Sequence, residues 1–106
     1  MKEDLLKIIE HYGIMPQLKY FQSEVFELNE AIFILEHYLE FANDQDYQTT
    51  LKQQVNHIAE EVADVLVMLG QFMQYYNIDK DKIEAIMEYK IDRQLRRIED
   101  EENKNH

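Results

Sequence analysis

Four carboxylates occupy helix positions where apolar side chains would be expected. Glu24 and Glu27 form one i, i+3 pair, and Glu61 and Asp64 form another. Spacing alone means little, because 22 acidic residues in 106 generate acid-x-x-acid about four times by chance. Position on the helix is more telling. At about 100° per residue, Glu24 falls within about 60° of Phe21, Leu28, Ala31 and Leu35, with Glu27 beside it. Glu61 shares its sector with Ile58, Val65, Met68 and Phe72, and Asp64 stands about 60° away. Two helices therefore turn a carboxylate pair toward the interior. Partial burial of like charges costs on the order of several kcal/mol per ion unless protons or cations neutralise them. A bound cation is the simplest neutraliser, and an all-oxygen donor set selects a hard one, Mg²⁺ or Mn²⁺. Such ions chelate polyphosphates. The alternative, rim ion pairs with Lys52, Lys90 or Arg93, stays open on spacing and pattern alone.

A second constellation lies near the C-terminus. Lys90, Arg93 and Arg97 are spaced by three and four and share a helix face. Arginine forks and a lysine point charge suit phosphate oxygens beyond the reach of a metal. The bland alternative is a solvated basic run favoured by the helix dipole. The background is strongly acidic: the formal net charge is −11, which argues against nucleic acid as a partner.

These groups need elements to hold them, and the composition favours helix. Two glycines and one proline leave few breakpoints in a chain that is 45% hydrophobic. Lys2 to His11 predicts a short amphipathic helix ended by a turn from Gly13 to Pro16. Apolar positions from Leu18 to Ala42 predict a long second helix beginning at Gln17. A polar loop from Asn43 to Tyr47 follows, then a third helix marked by Val55 to Tyr76. Asp79 is placed to cap a fourth helix carrying Ile83, Met87, Ile91 and Ile98. The expected architecture is all-α, an antiparallel four-helix bundle forming one domain over residues 1–98, with a frayed acidic tail over 99–106.

Other chemistries find little support. There are no cysteines, so thiolate zinc sites and disulfides are excluded. His11, His37, His57 and His106 lack the Glu-x-x-His pairing of di-iron bundles. Ser23 has no histidine base in a recognised order, and there is no glycine-rich phosphate loop. No stretch approaches the roughly 20 apolar residues of a membrane span, and a cytoplasmic location is expected.

SEVFELNEAI, HIAEEVADVLVMLGQF and IDKDKIEAIMEYKIDRQLRRI, in that order, resemble the MazG-like all-α nucleoside triphosphate pyrophosphohydrolases, specifically their short single-domain bacterial and phage forms. The family hallmark is E-E-x-x-E followed by E-x-x-D. The matching residues are Ser23, Glu24, Glu27, Glu61 and Asp64, so serine replaces the first glutamate, and the segment 28–60 is longer than in many members. The resemblance implies Mg²⁺-dependent hydrolysis of an NTP or dNTP to monophosphate and pyrophosphate, for pool control or house-cleaning. It implies Glu24, Glu27, Glu61 and Asp64 as metal-binding catalytic residues and Lys90, Arg93 and Arg97 as substrate-binding residues. Glu60 is then a candidate general base or supporting residue. It also implies a homodimer or dimer of dimers, in keeping with apolar residues such as Phe26, Phe33, Ile34 and Phe41 that one small bundle has no room to cover. Two other readings are a catalytically silent dimeric interaction module on the same scaffold, and a phosphoribosyl-ATP pyrophosphohydrolase on a related helical core.

Overall fold

The computed structural model describes residues 1–41 and 47–105. Four helices account for nearly all of them: α1 (Lys2–Tyr12), α2 (Ile14–Phe41), α3 (Tyr47–Tyr75) and α4 (Lys80–Lys104). There is no strand among the described residues, so the all-α expectation holds. No described helix is long and apolar enough to cross a membrane.

The boundaries correct several expectations. Gly13 alone separates α1 from α2. It sits at φ 93°, a conformation that disfavours any side chain, and its N–H caps α1 by donating to the Ile9 carbonyl at 2.8 Å. The predicted turn to Pro16 is absent: α2 has begun by Ile14, and Pro16 lies in its first turn, where a missing N–H costs nothing. Tyr47, expected in a loop, opens α3, while 43–46 of that expected loop lie outside the described residues. The tail expected to fray from Glu99 continues as helix to Lys104; position 106 lies outside the described residues.

The corner between α3 and α4 follows from two side chains. Asn77 adopts φ 54°, which asparagine tolerates better than most residues. With it, the Ile78 N–H reaches the Met73 carbonyl at 2.8 Å and the Asn77 N–H reaches Gln74 at 3.4 Å, the paired bonds of a Schellman stop. Asp79 then caps α4 as predicted, its carboxylate accepting from the Asp81 N–H at 3.0 Å.

Packing involves three helices. Helices α2 and α3 run antiparallel, as their contacts show: Gln17 meets Gln71, Phe21 meets Phe72 edge to face, and Tyr38 stacks on Tyr47. Helix α1 packs mainly on α3 and less on α2, and its Ile9 is fully buried. It approaches closely at Gly70, where an added Cβ would come 2.8 Å from a Leu5 methyl. Helix α4 does not pack along the others and contains no buried residue, so the expected four-helix bundle is a three-helix packing with a fourth helix standing clear. The sequence stripe on α4 is real but has no helix among the described residues to lie along.

Candidate metal centre and the adjoining cleft

The side of α2 that faces α3 is set by residues seven apart. Gln17, Glu24 and Ala31 are its three buried positions, two helical turns between each. On α3 the opposing row includes Glu61, Asp64, Met68 and Gln71. This register brings Glu24, Glu61 and Asp64 together: one carboxylate oxygen from each lies within 4.8 Å of the others. Glu24 is buried at 5% exposure, the Glu61 side chain retains 13%, and Asp64 is exposed at the rim.

Glu27 is exposed, so only one residue of the α2 pair is truly interior. It still belongs to the electrostatic group. Loss of solvation is the main cause that pushes the Glu61 carboxyl above the ordinary glutamate range, and the charges of Glu27 and Asp64 push in the same direction. His57 opposes them from 3.8 Å and is itself surface-exposed. A hydrogen bond to Glu24, reinforced by that carboxylate's charge, holds the Tyr20 hydroxyl above its usual range.

Ion pairing does not account for the cluster. Among the described residues no lysine or arginine pairs with any of the four carboxylates. Glu24 Oε2 and Glu61 Oε2 are both enclosed and have no hydrogen-bond donor. Two sealed, unpaired carboxylate oxygens beside a third carboxylate suit a hard cation, whose oxygen ligands stand at about 2.0–2.6 Å.

Cavities open on either side of the group. A cleft of about 580 Å³ runs toward α1, with Glu24 and Asp64 at one end, Gln17 and Gln71 at its base, and Tyr12 and Tyr20 among its walls. A second hollow of about 320 Å³ is bordered by Glu27, Glu30, His57 and Glu61. The carboxylates thus form the partition between a larger cleft with apolar walls and a smaller acidic one.

The remaining sequence candidates lie elsewhere. Lys90, Arg93 and Arg97 are exposed on α4, and Arg97 Nη1 donates to Gln94 Oε1 at 3.0 Å. Because α4 stands clear, one chain does not bring them to the carboxylates. Glu60 and Ser23 are exposed beside Glu61 and Glu24. Sequence reasoning passed over Gln17 and Gln71. A signal existed: Gln17 lies seven residues before Glu24 and Gln71 seven after Asp64, so both extend the rows that bear the carboxylates. No protein-family model matches the chain, and neither a curated protein nor a solved structure matches it significantly.

Proposed function

We propose that this protein is a divalent-cation-dependent pyrophosphohydrolase of nucleoside or deoxynucleoside triphosphates, of the MazG-like kind. The observation that carries the reading is the pair of enclosed, unpaired oxygens on Glu24 and Glu61, beside Asp64 and at the end of a cleft of nucleoside size. Glu24, Glu61 and Asp64 hold the cation, Mg²⁺ or Mn²⁺, with Glu27 completing the charge on the far side. Bound there, the ion neutralises phosphate charge and lowers the pKa of water. The chain supplies the rest: the partition orients the polyphosphate, and Glu27 or Glu60, both solvent-facing, takes the proton of the attacking water. No protein nucleophile is needed.

The active species in this reading is a homodimer or a dimer of dimers. Among the described residues only Ile9, Ala31 and Met68 are buried hydrophobic residues, whereas Phe26, Phe33, Leu66 and Leu95 are more than half exposed. The chain exposes 8999 Å², against about 6,300 Å² for a compact monomer of its mass. The excess, about 2,700 Å², is what a large permanent interface covers. The radius of gyration, 18.7 Å, likewise exceeds the roughly 13 Å of a compact chain this long. In such an assembly α4 of one copy can bring Lys90, Arg93 and Arg97 to the phosphates held by another.

The test is product analysis. Incubated with a panel of NTPs and dNTPs and Mg²⁺, the protein should release monophosphate and pyrophosphate, and Glu61→Gln should lower turnover about a thousandfold. No turnover of any nucleotide with Mg²⁺ or Mn²⁺ replaces this reading with the silent interaction module.

A further inference from the structure

The two glutamines at the base of the cleft are among the most buried side chains of the protein, Gln17 at 8% exposure and Gln71 at 2%. Apolar residues at these positions would serve packing equally well, since a buried amide is tolerated only when its hydrogen bonds are met. Here they are met in part. Gln17 Nε2 donates to Gln71 Oε1 at 2.8 Å, and Gln71 Nε2 approaches the Met68 sulfur at 3.5 Å. A thioether only accepts, so the donor end of Gln71 belongs against it and the acceptor end belongs on Gln17. That chain of contacts fixes the sense of both amides.

Each amide nitrogen keeps a second N–H, but the one polar atom of the pair left without any hydrogen bond is an acceptor. Gln17 Oε1 receives no hydrogen bond from any described residue, and it is not among the sealed unpaired oxygens of the protein. It therefore borders the cleft that Gln17 lines. The same cleft offers the faces of Tyr12 and Tyr20 and the apolar side chains of Ile8 and Val67, surfaces suited to a flat ring. At its opposite end stand Glu24 and Asp64. A ligand spanning the cleft would meet carboxylates and their cation at one end and a lone, rigidly held acceptor at the other.

We propose that Gln17, held in place by Gln71, determines which base this site accepts: its Oε1 receives an N–H from an exocyclic amino group, so aminated rings of the cytosine or adenine type are favoured over their keto counterparts. The inference rests on the triphosphate reading of the same site. A keto oxygen in that position would face Gln17 Oε1 with two acceptors and no hydrogen between them, leaving both unpaired.

Calorimetric titration with α,β-imido analogues, which resist hydrolysis at the scissile position, separates the possibilities. With Mg²⁺ present, the dCTP analogue should bind about tenfold more tightly than the dUTP analogue, and the dATP analogue about tenfold more tightly than the dITP analogue, each pair exchanging amino for keto with a proton gained on the adjacent ring nitrogen. Gln17→Met should erase both differences. Because that variant orphans Gln71, the double variant Gln17→Met, Gln71→Met serves beside it, removing both partners together. In both variants the Mg²⁺-induced rise in Tm should persist, which separates lost recognition from a lost fold. Equal binding within each pair by the parent protein, or a preference that survives the double variant, overturns the role of Gln17 while leaving the pyrophosphohydrolase reading intact. Binding of none of the four analogues overturns both.

Discussion

Helices α3 and α4 are of similar length, 29 and 25 residues, and both carry apolar positions at helical spacing, yet they have opposite fates. Along α3 one face, bearing Met68 and Gln71, is answered by α2 and α1 while Val55, Leu66 and Val67 stay exposed, and the answered face includes a sealed pair of carboxylate oxygens. Along α4, Ile86, Met87, Ile91, Leu95 and Ile98 are all exposed. The difference teaches that periodicity states that a face wants burial and not what will bury it. Local chemistry is too weak to explain α4 on its own. An Asp79 cap and an exposed Lys80–Glu84 pair at 3.7 Å contribute about 1 kcal/mol and a few tenths respectively. In proteins most of a helix's stability comes from packing its amphipathic face. In the assembly proposed above, that face of α4 packs on another copy.

The strongest blow to that contrast is a charged substitution on α4. Ile91→Glu with Leu95→Glu would place two unpaired charges in the contact, at a cost of several kcal/mol, or more than about a hundredfold in association. Sedimentation should show the parent as a dimer or larger and the variant as a monomer, with turnover collapsing as the basic stripe is withdrawn. An unchanged sedimentation coefficient would make α4 a solvated spur and erase the distinction. Next in size is the metal. At a hundred times its dissociation constant, Mg²⁺ should stabilise the native state by about 2.7 kcal/mol, raising Tm on the order of 10 °C. Glu61→Gln should abolish that rise, whereas Arg93→Ala on α4 should leave it alone. A matching rise with NaCl at equal ionic strength would remove the assigned role of the α2–α3 carboxylates.

The smallest effect is a pH dependence. Because the Glu61 carboxyl is pushed above its unfolded value, the native state binds more protons than the unfolded state between the two. Stability from this group is therefore present at low pH and is lost as pH rises through that window. In EDTA the Tm should show this downward contribution just above the ordinary glutamate range. Glu61→Gln should remove it and saturating Mg²⁺ should mask it. A Glu61 contribution that rises with pH instead would mean that the carboxylates are compensated by a cation from elsewhere in the protein.

Much of the α2–α3 half was legible in advance. The inward sectors of Glu24 and Glu61 follow from the 100° step of a helix, and Asp79 could be recognised as a cap from its place before an amphipathic run. Glu27 and Asp64 came out nearer the surface because a wheel gives direction but not depth. The start of α2 was misread because Pro16 suggests a break, whereas the first turn of a helix has no use for its N–H. The glutamine pair went unnoticed because neutral amides on an inward row provoke less surprise than carboxylates, although they sit in the same register. The separation of α4 could not be anticipated: the same stripe would serve packing within a chain or between chains.

Gly70 has a consequence beyond close packing. The absence of one methyl lets α1 ride deep against α3, with Leu5 filling the vacated space. Helix α1 also contributes Ile8 and Tyr12 to the cleft, which Gly70 itself does not border. Add the methyl, and either Leu5 turns aside or the whole helix lifts; only the second displaces the cleft wall. Position 70 thus acts as a caliper screw at the back of the jaw, setting the width of the gap without bordering it.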